Sequence, residues 1–107
     1  MMKRTSKKKS RIPTDLIFQR LHSLLPELRK QYRVKSLGLF GSYVRGRQRK
    51  TSDLDILVEF DRAPSLFEFV ELQEYLNTAL GIRVDLVMKT ALKPAIGERI
   101  LAEVMPV

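Results

Sequence analysis

Residues 41–55 read GSYVRGRQRKTSDLD, a stretch with a Gly-Ser pair at one end and Asp53 and Asp55 at the other. Glycine lets a phosphate approach backbone N–H groups closely because it has no Cβ. A helix beginning at or near Ser42 would add its own free N–H groups. Carboxylates two residues apart project from the same face of an extended strand. The stretch therefore predicts an anion site at one end and a cation site at the other.

Length and composition set the limits of the fold. The chain has 107 residues and is 44% hydrophobic, enough for one small domain with a modest core. It has no cysteine, which excludes a disulfide framework and a thiolate metal site. We find no apolar run long enough for a membrane span and no signal peptide. The sequence therefore predicts a cytoplasmic protein.

The net charge of +8 is concentrated at the start of the chain. Residues 1–11 carry six basic residues and no acidic one, which leaves 20 − 6 = 14 basic against 12 acidic residues in the remainder. Such a block repels itself and has little to bury. We predict a disordered basic tail at residues 1–11 and one domain at residues 12–107. The tail is either a solvated arm or a weak contact for nucleic acid or an acidic partner, with nucleic acid unlikely to be the main partner.

Hydrophobic periodicity predicts helices alternating with strands. The predicted elements are a helix over 12–31, a strand over 34–40, a short helix over 43–45, a strand over 53–60, a helix after Ser65, a strand over 82–88 and a helix from Pro94. This order indicates an α/β (α+β) fold with a mixed three- to four-stranded sheet and helices mainly on one face. The other face is left open for a site.

Local signals support these elements. Thr14 is a candidate N-cap of the first helix, and Pro26 is expected to kink that helix or to start a second one. Ser65 and Glu68 have the spacing of a capping box, and Gly81 is a candidate C-cap. The helix after Ser65 is expected to bury an apolar stripe, whose core candidates are Leu66, Phe67, Phe69, Val70, Leu72, Leu76 and Leu80. Some of Phe67, Phe69 and Leu72 could instead form a surface for a partner.

Alternation in the second strand places Asp53 and Asp55 on the face opposite its apolar residues. Asp85 lies on the outward face of the next strand, so it can join the pair if the two strands are neighbours. Carboxylates held this close repel each other unless a cation lies between them. Magnesium, which prefers oxygen ligands, suits such a site. With Asp85 as a third ligand, the site would support two-metal chemistry.

These residues resemble the minimal nucleotidyltransferases of the DNA polymerase beta superfamily. That family carries a Gly-Ser pair, ten residues, Asp-x-Asp and a third aspartate on a later strand. The matching positions are Gly41, Ser42, Asp53, Asp55 and Asp85. The flanking segments LFGS, SDLDILVEF and VDLV fit as well, so that the resemblance covers residues 14–105.

The resemblance implies two magnesium ions held by Asp53, Asp55 and Asp85, and ATP as substrate. Gly41 and Ser42 would bind its phosphates, and Arg45 could add positive charge. It also implies an antitoxin that transfers AMP to a tyrosine of a HEPN-domain ribonuclease toxin. Two alternatives stay open: an antitoxin that acts by binding alone, and a nucleotidyltransferase for RNA or a small molecule. The basic residues 47–50 depart from the family's usual residues and leave the target and the nucleotide preference open.

Overall fold

The computed structural model describes residues 13–47 and 53–107. The helices are α1 (Thr14–Tyr32), α2 (Ser42–Arg45), α3 (Leu66–Leu80) and α4 (Pro94–Glu103). The strands are β1 (Val34–Phe40), β2 (Leu54–Phe60), β3 (Val84–Met88) and β4 (Met105–Pro106). A 3-10 turn, Lys89–Ala91, follows β3. The predicted basic tail at residues 1–11 lies outside the described residues.

The four strands form one mixed sheet in the order β3-β2-β1-β4. Strand β1 pairs antiparallel with both β2 and β4, and β2 pairs parallel with β3. Asp85 was expected to join the other two aspartates only if β2 and β3 are neighbours in the sheet, and this condition is confirmed. Strand β4 was not predicted, because two residues show no strand periodicity.

The core lies between one face of the sheet and helices α1 and α3. The inward residues of β2, Leu54, Ile56 and Val58, are completely buried. They belong to one cluster with buried residues of α1 and α3, which are Ile17, Leu21, Leu25, Leu28, Leu72, Leu76 and Leu80. Each such side chain removed from water contributes about 1.5–3 kcal/mol. This packing fixes which face of β2 carries Asp55.

Helix α4 lies beside the other face of the sheet. Its residues Ile96 and Ile100 line a cavity together with Asp55, and Leu101 lines a second cavity together with Leu57. The predicted open face is therefore partly walled by α4, while α1 and α3 cover the opposite face as expected. Within residues 13–47 and 53–107, no helix has the length and apolarity needed to cross a membrane.

The structure adds two details about α1. The helix runs as one element through the exposed Pro26, so no second helix begins there. Thr14 is the first helical residue, and Pro13 takes the N-cap position. The Thr14 hydroxyl instead donates to the backbone carbonyl of Tyr43, 3.4 Å away, which links α1 to α2.

Helix α3 begins as predicted, with reciprocal capping-box bonds between Ser65 and Glu68, and ends at Gly81 in the left-handed conformation. The prediction of its buried face was wrong at its first turns. Leu66 and Phe67 are 79% and 86% exposed, and Val70 is also exposed. Phe69 is partly buried against the core, and the fully buried residues of the helix begin at Leu72.

Candidate active site

The parallel register of β2 and β3 brings two carboxylates together. Asp55 lies directly opposite Asp85 in the sheet, and their side chains share a hydrogen bond. Both point away from the core, because the residues on either side of Asp55 in β2 are buried on the other face. Asp55 is half-buried, whereas Asp85 is exposed at the edge strand. The pair thus has one sheltered member and one that an incoming molecule can reach.

Asp53 is not part of this pair. It precedes β2, and its carboxylate lies 3.8 Å from the Nε atom of Arg83. The side chains of Asp53 and Arg83 are 39% and 78% exposed, so this ion pair is weak and open to exchange. Within residues 13–47 and 53–107, no three His, Cys, Asp or Glu side chains converge closely enough to hold a metal ion. The structure therefore assembles two of the three predicted ligands and leaves the third beside them.

The pKa of the Asp55 carboxyl is raised from its ordinary 3.8 to about 6, and burial is the largest cause. The charge of Asp85, the hydrogen bond with it and the charge of Asp53 contribute to this rise, while Arg45 opposes it. A carboxyl this close to a second carboxylate holds its proton more tightly, because protonation relieves the repulsion between them. A hard divalent cation would replace that proton, so the donor set fits magnesium.

Gly41 lies at the end of β1, beside the carboxylate pair. Its φ of 85° falls in the region that favours glycine. A Cβ at this position would overlap the side-chain carboxylate of Asp55. The glycine is thus needed for the close approach of β1 to Asp55, in addition to any approach of a phosphate.

Helix α2 starts directly after Gly41, and Ser42 is its first, partly exposed residue. The backbone carbonyl of Gly41 accepts the N–H groups of Val44 and Arg45, both at 3.1 Å, which closes the turn. Gly46 ends the helix in the left-handed conformation. The Ser42 hydroxyl and the first turn of α2 are therefore placed beside Gly41, as the sequence predicted.

Arg45 is held by a residue that sequence reasoning missed. Its Nη1 atom lies 3.0 Å from each carboxylate oxygen of Glu103, the last residue of α4. Glu103 also accepts the backbone N–H of Gly41 at 2.9 Å. This hydrogen bond lowers the pKa of Glu103 below its ordinary 4.5, and Arg45 adds to the effect. Gly41 and Glu103 are 62 positions apart, so no local sequence pattern indicates the contact between them.

A cavity of about 360 Å³ opens beside these groups. Its polar lining comes from Gly41, Arg45, Asp55, Arg99 and Glu103, and its apolar lining from Phe40, Ile96 and Ile100. A polar end with groups of both charges beside an apolar wall is typical of sites for small charged organic ligands. The site therefore combines a carboxylate pair, a basic anion contact and a cavity in one place.

Two further side chains position Asp85, and sequence reasoning missed both. On α3, Asn77 Oδ1 accepts the N–H of Val84 at 2.7 Å, and Gln73 Oε1 accepts the N–H of Leu86 at 3.0 Å. These bonds occupy the outer edge of β3, beside which no further strand lies among residues 13–47 and 53–107. The only available signal was a pair of amide residues four positions apart on one helix face.

Comparison with known proteins agrees with this geometry. Residues 21–104 match the family model for the nucleotidyltransferase domain. The chain is 54% identical to the protein adenylyltransferase MntA of Thermococcus cleftensis over 74% of its own length and 80% of that protein's length. A solved structure of a candidate minimal nucleotidyltransferase is 33% identical and superposes with a TM-score of 0.78, covering 92% of this chain and 99% of that one.

A second solved structure is a toxin–antitoxin with AMP-PNP. It is 27% identical to this chain, with a TM-score of 0.69 over 82% of this chain and 69% of that one.

Proposed function

This chain belongs to the nucleotidyltransferase domain family, and from that premise we propose that it transfers AMP from ATP to a tyrosine hydroxyl of a HEPN-domain ribonuclease toxin, with magnesium bound. The observation that carries the proposal is the carboxylate pair Asp55 and Asp85, of which Asp55 lies against Gly41 and lines the cavity. The family explains this otherwise costly arrangement of like charges, because nucleotidyl transfer needs carboxylates beside a phosphate site.

The three carboxylates act together as metal ligands in this proposal. Asp55 and Asp85 would hold magnesium, joined by Asp53 once its exposed ion pair with Arg83 opens. A bound divalent ion supplies charge neutralisation and Lewis-acid activation. Because the pKa of Asp55 is about 6, its carboxylate is mostly ionised at neutral pH and ready to bind a cation.

The phosphate end is built from the Gly-Ser turn. Ser42 would donate its hydroxyl to the triphosphate, and Arg45 would donate guanidinium N–H groups that Glu103 leaves free. The apolar wall formed by Ile96 and Ile100 is available to the nucleoside.

The transfer itself is a substitution at phosphorus. The acceptor oxygen forms a bond to the α-phosphorus, the bond from that phosphorus to the bridging oxygen breaks, and pyrophosphate leaves with the electron pair. The hydroxyl proton passes to the carboxylate of Asp85, which lies at the exposed edge of the sheet.

Two similarities support the acceptor. The relative from Thermococcus cleftensis is a protein adenylyltransferase, which favours a protein acceptor over RNA or a small molecule. The match to a toxin–antitoxin structure with AMP-PNP supports a toxin partner and an adenine nucleotide.

The test is intact-mass measurement of the toxin after incubation with this protein, ATP and magnesium. We expect a gain of one or more AMP groups that is lost in an Asp53→Asn, Asp55→Asn double variant. Asp61→Asn, which removes an exposed carboxylate in the turn after β2, is the matched control and should retain transfer. The same experiment without magnesium, in EDTA, should give no mass gain.

Neutralisation by binding alone is the second candidate, and one observation favours it: Asp53 is paired with Arg83 and not with the other two carboxylates. In that case the toxin would be inhibited equally by wild type and double variant, with no change in mass. Equal inhibition without AMP addition would refute the enzymatic proposal.

A further inference from the structure

Glu103 makes two contacts that the proposed reaction does not explain. Its Oε2 atom accepts the backbone N–H of Gly41 at 2.9 Å, and both of its carboxylate oxygens lie 3.0 Å from Nη1 of Arg45. One side chain at the end of α4 thus holds both the turn that begins the phosphate site and its basic residue. Both contacts involve a charged group, so they are stronger than ordinary hydrogen bonds.

The placement of Glu103 follows from β4. Strand β4 pairs with β1 through Gly38 opposite Pro106 and Leu39 opposite Met105. Continuing this antiparallel register places residue 103 opposite Gly41. The chain is helical at that point, so the Glu103 side chain, instead of a backbone carbonyl, accepts the Gly41 N–H. The carboxylate extends the sheet by one hydrogen bond at the point where the Gly-Ser turn leaves β1.

A neighbouring glycine lets β4 approach this closely. A Cβ on Gly38 would lie 2.6 Å from Cγ2 of Val104 and 3.4 Å from the carbonyl oxygen of Met105. Val107 also donates its N–H to the carbonyl of Leu37 at 3.0 Å. The residues directly after Glu103 are therefore held against β1, which fixes where its carboxylate can reach.

We propose that Glu103 is a positioning residue for nucleotide binding: it holds Gly41 and Arg45 in the arrangement that receives the triphosphate. The proposal rests on the proposed function. Arg45 uses only Nη1 toward Glu103, and a guanidinium has five N–H donors, so Nη2 and Nε remain for phosphate. The side chain of Arg45 is 50% exposed, and without its anchor it would sample many rotamers that point into solvent.

The opposite role is a competitor: a carboxylate that occupies the phosphate contacts and must be displaced by ATP. The two roles predict effects of opposite sign. Removal of a positioning residue weakens ATP binding, whereas removal of a competitor strengthens it. The sheet register favours positioning. The Gly41 N–H points to the place where a longer β4 would supply a backbone carbonyl, and Glu103 supplies the acceptor there instead. The hydrogen bond of this N–H therefore does not depend on a ligand.

The experiment compares Glu103→Ala, Glu103→Gln and the control Glu98→Gln, which changes an exposed glutamate on the same helix. We expect Glu103→Ala to raise the KM for ATP by about ten-fold or more, the range for losing charged hydrogen bonds. The KM for the acceptor protein should stay unchanged. Glu103→Gln keeps a neutral acceptor for the Gly41 N–H, so its effect should be smaller, and Glu98→Gln should match wild type.

A double-variant cycle tests whether Glu103 acts through Arg45. In an Arg45→Ala background, Glu103→Ala should raise the ATP KM by clearly less than it does in wild type. An unchanged or lowered ATP KM in Glu103→Ala would overturn the proposal, and a lowered one would identify a competitor. Equal effects in both backgrounds would also overturn it.

Amide hydrogen exchange separates this proposal from the proposed function. In protein without nucleotide or metal, the Gly41 amide should exchange faster in Glu103→Ala than in Glu98→Gln, because its acceptor is gone. The faster exchange of the Gly41 amide is expected even if the wild-type protein transfers no AMP. In that case the proposed function would be refuted, but the contact between Glu103 and Gly41 would not. If Glu103→Ala is too unstable to study, the comparison is made with Glu103→Gln, and unaltered Gly41 exchange together with an unaltered ATP KM would refute the positioning role.

Discussion

Replacing Asp55 with asparagine should make the metal-free protein more stable at neutral pH while removing its activity. Burial and the neighbouring Asp85 raise the pKa of Asp55 to about 6 in the folded chain, against 3.8 for the ordinary carboxyl. Folding therefore opposes ionisation of this group. At about 1.4 kcal/mol per pKa unit, the full cost above pH 6 is about 3 kcal/mol. Asp55 is partly exposed, and solvent screening reduces this cost to about 1–2 kcal/mol.

The sign of the pH dependence follows from the same pKa values. Below pH 3.8 the carboxyl is protonated in both states and the cost is absent. As pH rises to about 6, the unfolded chain ionises first and the folded chain loses stability relative to it, and above that the cost is constant. Asparagine is neutral at every pH and has the same shape, so it avoids the cost. The gain of the variant should shrink at pH 4.5 to about a third of its value at pH 7.5.

Thermal melting in EDTA at both pH values measures this effect. For a domain of this size, about 1 kcal/mol shifts Tm by roughly 4–8 °C, so the gain at pH 7.5 is easily resolved. Asp61→Asn is the control: it also removes one negative charge from a chain of net charge +8, without relieving the carboxylate pair. With manganese and ATP the ranking should reverse, because only wild type gains from ligand binding. A Tm for Asp55→Asn equal to or below that of wild type in EDTA at pH 7.5 would refute the reasoning.

Three further substitutions test the surroundings of the site. Gly41→Ala should lower the free energy of unfolding by about 2 kcal/mol or more, because the added Cβ clashes with the Asp55 carboxylate and the residue also has a positive φ. Gly46→Ala is the control: its φ is also positive, but its Cβ would meet no described atom, so thermal melting should show a loss of about 1 kcal/mol. Asn77→Ala should cost about 1–3 kcal/mol by leaving an N–H of β3 without its acceptor, with the exposed Glu74→Ala as control, and equal melts for the two would show that this bond contributes nothing. Phe67→Ser should change stability by less than about 0.5 kcal/mol, because the ring is 86% exposed, and a larger loss would mean that the ring is buried.

Short-range patterns in the sequence predicted the elements that carry the site. Alternation along β2 correctly placed Asp55 opposite the core, because a residue's face in a strand depends only on its parity. The capping box at Ser65 and the glycine at position 81 marked both ends of α3, since each acts within one helical turn. The proximity of Asp55 and Asp85 needed one additional fact, the adjacency of β2 and β3, which the order of elements suggested but did not determine.

The wrong or missing predictions concern contacts between distant segments. Leu66 and Phe67 fit an apolar helix, but whether a turn of that helix reaches the sheet depends on where the helix starts relative to the strands. Glu103 could be recognised only after β4 had been paired with β1. The orientation of Asp53 toward Arg83 is a choice of side-chain rotamer on an exposed residue, which no sequence pattern determines.

The site gathers groups whose interactions with one another are unfavourable, and the surrounding structure holds them in place. Asp55 and Asp85 are kept together by the register of β2 and β3, whose buried residues Leu54, Ile56, Val84 and Leu86 lie on the opposite face. The edge of β3 is in turn secured by Asn77 and Gln73 from α3. A stabilising change at Asp55 should therefore be easy to find and functionally costly, because the repulsion it removes is also what makes the pair bind a cation. The stability of Asp55→Asn in EDTA and its loss of AMP transfer are thus two consequences of one electrostatic arrangement, and they should appear together.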